Sequence, residues 1–109
     1  MDFALMMERA LAVRASYEAL ETSSYGRPWT LEELTLGLVG DVGDLAKLIQ
    51  AHEGVRTIEG AAAALEHELA DVLWSVIVIA DRCNIDLAAA FSETMAGLER
   101  NLADPTPEV

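Results

Sequence analysis

Apolar positions in this chain fall into stripes at helical spacing. Phe3, Met6, Ala10, Val13, Tyr17 and Leu20 recur at steps of three and four, while Asp2, Glu8, Arg9, Arg14, Glu18 and Glu21 lie elsewhere around the cylinder. This spacing predicts a first helix over about residues 2–22. Thr22 to Pro28 form a turn-rich break, after which Thr30 and Glu33 make a capping box that starts a second helix. Leu31, Leu34, Leu38, Val42, Leu45 and Ile49 carry its apolar face up to Gly54, which is placed for a left-handed cap. Gly37, Gly40 and Gly43 interrupt it, each costing about 0.5–1 kcal/mol against alanine, so a close backbone approach is expected there.

Val55 to Glu59 link to a third helix over about residues 60–82. Its second half, with Val72, Leu73, Val76, Ile77, Val78 and Ile79, is apolar all round. The β-branched run resembles a strand, but it continues an alanine-rich segment too long for one, so helix is the reading. A helix apolar on every side must be covered on every side, and in so small a protein the simplest cover is a second copy of the chain. Asn84 closes this helix and Asp86 opens a fourth, with Leu87, Phe91, Met95, Leu98 and Leu102 along one side to about Ala103. The expectation is an all-α four-helix bundle completed by oligomerisation, as one domain over residues 1–103 with a frayed tail at 104–109.

Composition narrows the function. With 109 residues, 52% hydrophobic, the chain has the size of one domain and too many core-forming residues for a disordered acidic tail. Nineteen acidic against seven basic side chains give a net charge of −12, which repels polymeric nucleic acid and anionic membrane surfaces. The longest apolar stretch, Val72 to Ala80 broken by Ser75, is far short of the roughly 20 residues that span a bilayer. Cys83 stands alone, so no internal disulfide is possible, and the acidic N-terminal segment is unlike a secretory signal. A cytoplasmic protein is expected.

Four carboxylates stand where apolar residues belong. At 100° per residue Asp41 projects between Leu45 and Leu48, inside the apolar arc of the second helix, with Asp44 at its edge. Glu68 and Asp71 occupy the equivalent places in the third. Asp41-Val-Gly-Asp44-Leu and Glu68-Leu-Ala-Asp71-Val share one pattern, and residues three apart lie on one helix face. Two such helices side by side bring four carboxylates into one small volume, where they must be protonated, paired with bases or holding cations. Few bases are near: Lys47 follows Asp44 by three and His67 precedes Glu68. An all-oxygen donor set suits hard ions, Mg²⁺ first and Mn²⁺ second.

With these residues in view, the sequence resembles the MazG-like all-α nucleoside triphosphate pyrophosphohydrolases, a group that includes dCTP pyrophosphatase-type enzymes and dimeric dUTPases. Their signature is E-x-x-E followed by E-x-x-D on two antiparallel helices. Here "LVGDVGDLAKLI" and "HELADVLWSVIVIADRCNIDL" match its surroundings, and 23 residues separate Asp44 from Glu68. The resemblance runs from about Trp29 to Leu98. It implies cleavage of a (deoxy)nucleoside triphosphate between the α and β phosphates, giving monophosphate and pyrophosphate, in the service of nucleotide-pool cleaning. Asp41, Asp44, Glu68 and Asp71 fall on the metal-ligand positions, and one of them, or a metal-bound hydroxide, would serve as base for water. The chain departs from the pattern in its first pair, Asp-Asp for Glu-Glu, and at Glu93 and Gly97, where members often have a phosphate-contacting lysine and asparagine; Arg100 stands nearby.

Phosphate contacts are then expected from other bases, such as Lys47, Arg27, Arg56 or Arg82, beside Arg100. Trp29 can stack on a base or act as a hydrophobic staple before the Thr30 cap. Ser75 lies on the acid line and can bond water or phosphate, or its own helix backbone. Trp74 projects away from Glu68 and reads as core or subunit interface. His52 and His67 read as surface residues, and Cys83 as a small buried hydrophobe. Two rival functions share the same residues: a non-catalytic metal- or nucleotide-binding regulatory bundle, and phosphoribosyl-ATP pyrophosphohydrolase.

Overall fold

The computed structural model describes residues 1–104, and the predicted tail beyond Asp104 lies outside them. Four helices follow in order, α1 Phe3–Tyr25, α2 Leu31–His52, α3 Ala61–Arg82 and α4 Leu87–Ala103, with no strand among the described residues. The fold is all-α, as the hydrophobic spacing requires.

Local chemistry sets the boundaries. Asp2 caps α1 by accepting from the Leu5 N–H, and Gly26 ends it three residues later than expected, at φ +81°, a conformation that suits glycine. At α2 the capping box is complete: the Thr30 hydroxyl accepts from the Glu33 N–H and the Glu33 carboxylate accepts from the Thr30 N–H. Gly54 and Gly60 take left-handed backbone on either side of the α2–α3 link, and Asn84 does so at φ +56° after α3. The Asp86 carboxylate caps α4 through the Ala89 N–H.

α3 is the central element. It lies along α2 for much of its length, takes α1 on another side, and is touched only lightly by α4. Leu48, Ile77, Val78 and Ala80 are the buried apolar side chains, and no large one is fully enclosed. The radius of gyration is 17.4 Å, against about 13 Å expected for a compact chain of this length. Leu36, Val39 and Val42 on α2 and Leu69, Leu73 and Val76 on α3 stay exposed, so one chain does not cover its own apolar surface.

Three details differ from the sequence pattern. On α1 the inward line holds Arg14 and Glu21, the only buried residues of that helix, while Val13, Tyr17 and Leu20 are 43–59% exposed. A buried arginine and glutamate seven apart can stand on an inner face because each neutralises the other. On α2 the inward line runs Leu31, Leu34, Leu38, Asp41, Leu45, Leu48, which leaves Val42 and Ile49 exposed, one residue being 100° of rotation. Gly37, Gly40 and Gly43 have open space where a Cβ would point, so the backbone approach expected of them does not occur within the chain.

Candidate active site

The α2–α3 pairing brings the two acidic segments together. Asp41, Asp44 and Glu68 each place a carboxylate oxygen within 4.8 Å of the others. Asp41 and Glu68 are half-buried and Asp44 is exposed, so the cluster opens to solvent on one side. Glu68 Oε1 is buried without a hydrogen-bond donor among the described residues. Burial first, then the charges of Asp41, Asp44 and Asp71, push the Glu68 carboxyl above its ordinary range. A buried carboxylate oxygen without a donor, beside two more carboxylates, is an arrangement a hard cation satisfies, and the three residues fit one.

Asp71 stands outside this group. One turn along α3, its Oδ2 lies 3.2 Å from His67 Nε2, in a pair whose histidine is 75% exposed. It lines the same cleft as Asp41, so the structure brings three of the four sequence-predicted acids together and sets the fourth beside them.

That cleft, about 560 Å³, runs between α1, the α1–α2 junction, α2 and α3. Asp41, Asp71 and Ser75 line it together with the rings of Tyr17, Tyr25, Trp29 and Trp74. Tyr17 and Trp74 pack with centroids 5.6 Å apart at 48°, and Trp74 Nε1 donates to the Ala10 carbonyl at 3.0 Å, which joins α1 to α3. The sequence pattern assigned Trp74 to core or interface, and the structure makes it a wall of the cleft. Trp29 and Ser75 both line the cleft. Arg27 does not: its guanidinium is bonded to Glu33 and to the Pro28 carbonyl, outside the cleft lining. That pair, with the Thr30 N–H, lowers the Glu33 carboxyl to about 2. Lys47 is exposed on α2 away from the cleft lining, and Arg100 lies back over Gly97 on its own helix, so the structure brings neither to the cleft.

Sequence reasoning passed over Arg14, Tyr17, Tyr25 and Glu21, all of which line the cleft. Arg14 and Glu21 form a two-pronged ion pair, Nη1 to Oε2 at 3.0 Å and Nη2 to Oε1 at 2.5 Å, and Glu21 Oε1 also accepts from the Trp29 N–H at 2.8 Å. The available signal was the seven-residue spacing of opposite charges on one helix, which places them on one face.

Residues 29–102 match the model of the MazG nucleotide pyrophosphohydrolase domain. The chain is also similar to dCTP pyrophosphatase 1 of Rattus norvegicus and of Homo sapiens, each 42% identical over 67 residues, covering 57% of this chain and 39% of the relative. The Mus musculus protein of the same name is 40% identical over the same length. The match therefore spans well under half the length of these curated relatives. No solved structure matches the chain significantly.

Proposed function

The chain belongs to the MazG nucleotide pyrophosphohydrolase family, and on that premise we propose that it hydrolyses a (deoxy)nucleoside triphosphate to the monophosphate and pyrophosphate in the cleft between α1, α2 and α3. One observation carries the reading: a cleft walled by aromatic rings is also lined by Asp41 and Asp71, and Asp41 belongs to a carboxylate cluster whose Glu68 has a buried oxygen without a donor. Rings accept a flat base, and acids attract the cations that accompany a triphosphate.

Asp41, Asp44 and Glu68 would hold the divalent ion, Mg²⁺ by preference, with Asp71 joining them once it gives up its exposed contact to His67. When bound, the ion neutralises the acids and phosphate oxygens and favours attack by water on phosphorus. The chain's own part is geometric. Trp29, with Tyr17 and Trp74 also in the walls, fixes the base. Thr30 to Asp41 rises roughly 16 Å along α2 at 1.5 Å per residue, the scale of an extended nucleoside triphosphate. Ser75 offers a hydroxyl to a phosphate oxygen or to water. The lining bases are already engaged, Arg14 with Glu21 and His67 with Asp71, which leaves neutralisation of the triphosphate to the ion. The exposed apolar faces of α2 and α3, and the open space over Gly40 and Gly43, support self-association through those helices. No described helix is long and apolar enough to cross a membrane, and a cytoplasmic place in nucleotide-pool cleaning accords with the acidic surface.

The test is pyrophosphate release from a panel of common nucleoside triphosphates, dCTP first, in the presence of Mg²⁺. Glu68→Ala and Asp71→Ala should each cut release by more than about 100-fold while the circular dichroism signal stays helical. Turnover retained in either variant, or nucleotide binding with no release by the unaltered protein, rejects the assignment.

A further inference from the structure

The α1–α2 junction holds Trp29 by its backbone from two sides. Glu21 Oε1 accepts from the Trp29 N–H at 2.8 Å, and Arg82 Nη1, from the last turn of α3, donates to the Trp29 carbonyl at 3.4 Å. Glu21 is itself fixed by the two-pronged pair with Arg14, and these two side chains, 6% and 7% exposed, are the only buried charged residues among those described. A paired charge this deep is weak evidence for stability, because desolvating both ions offsets much of their attraction. What the pair does accomplish is geometric: it aims a carboxylate oxygen at one peptide N–H, immediately before the Thr30 cap. Trp29 is otherwise lightly held, 41% exposed at the cleft mouth after Gly26, Arg27 and Pro28.

We propose that Glu21, held by Arg14 and assisted by Arg82, is a positioning residue for base recognition: it sets the Trp29 ring at the cleft wall and so determines how tightly a nucleobase is held. This rests on the reading of the cleft as a nucleotide site. Neither Glu21 nor Arg14 touches the nucleotide in this role; both act through Trp29. Glu21→Gln tests it with almost no change of shape. A glutamine has one oxygen and one N–H₂ group, so it loses the Arg14 Nη1 prong and opposes an N–H₂ group to it, which frees the oxygen aimed at the Trp29 N–H to move.

The experiment measures KM and kcat for dCTP with Mg²⁺ in the full chain, its Glu21→Gln and Trp29→Ala variants, and the double variant. Glu21→Gln should raise KM about tenfold with kcat changed less than about twofold, and the same change in the Trp29→Ala background should leave KM within about twofold. An equal rise in both backgrounds overturns the positioning role. A KM indifferent to Trp29→Ala removes the stacking of a base on Trp29, and the role with it. A readout free of catalysis is the emission of Trp29 in a Trp74→Phe chain without nucleotide: Glu21→Gln should shift it to the red and lower its anisotropy, and an unchanged signal overturns the clamp even if the chain hydrolyses no nucleotide. Should Glu21→Gln fail to fold, the exposed Arg82→Gln loosens the other side of the same peptide. Its smaller rise in KM should likewise vanish without Trp29, and persistence of that rise overturns the proposal.

Discussion

Two clusters of charge border the same cleft and are built on opposite plans. At the α2–α3 end, Asp41, Asp44 and Glu68 bring like charges within 4.8 Å and leave a buried oxygen without a donor. At the α1–α2 junction, Arg14 and Glu21 are more deeply buried, yet their charges cancel and the carboxylate's remaining capacity is spent on a peptide N–H. The first cluster is incomplete by itself and therefore able to take something from outside. The second is balanced in charge, with Arg14 Nε its one buried atom lacking a hydrogen-bond partner among the described residues, and is therefore able to hold something in place. Burial of charge alone does not separate a ligand site from a brace; the sign balance does.

The contrast predicts that removing a charge has opposite consequences at the two ends. The largest effect is expected from Arg14→Met, which strands Glu21 in a buried position and should cost about 3–5 kcal/mol in urea unfolding. Replacing both partners, Arg14→Met with Glu21→Met, should recover most of that loss. A double variant no more stable than the single one would mean that the junction depends on the Glu21 bond to Trp29 more than on charge balance.

Neutralising the acid cluster should do the reverse. Without divalent ion, Glu68→Gln should raise Tm, since it removes one of three mutually repelling carboxylates. The pH dependence has a definite sign. Because the folded-state value of Glu68 is raised above 4.5, the folded chain holds that proton more tightly than the unfolded chain, so this group's contribution to stability falls as pH rises from 4.5 through the folded value. Melts from pH 4 to 8 should therefore show Mg²⁺ adding more to Tm at the upper end, where the ion no longer competes with protons, and adding little in Glu68→Gln. An ion effect of the same size in that variant would place the binding elsewhere. Glu33 runs the other way: held near 2, it favours the folded chain above 4.5 and loses that advantage on acidification.

The smallest effect is expected at the Thr30 cap, which neighbours the brace without belonging to either cluster. Thr30→Ala should cost about 0.5 kcal/mol, at the low end for caps, since the Glu33 carboxylate still accepts from the residue-30 N–H. A loss several times larger would show that the cap, and not Glu21, anchors the junction.

What could be read directly from residue order was whatever depends on local spacing. The four helices, the Thr30 capping box, the Gly54 termination and the pairing of two acidic segments all follow from periods of three and four and from residues whose backbone or side-chain chemistry is short-range. Asp41 was legible as out of place because it sits within an apolar arc, and an anomaly against a regular pattern is visible without any tertiary knowledge.

Tertiary packing decided the rest. Which face of α1 turns inward depends on what α3 offers it, and a charged pair that cancels is acceptable there although each member alone reads as solvent-facing. Asp71 stands one turn along α3 from the acid group it was expected to join, with its Oδ2 3.2 Å from His67 Nε2, a neighbour the helical wheel does not weigh. Trp74 turns toward the cleft because the Ala10 carbonyl on another helix accepts its N–H. Helical period tells which side chains share a face, but the direction of that face, and the partner that satisfies each polar atom on it, come from elements far apart in the chain.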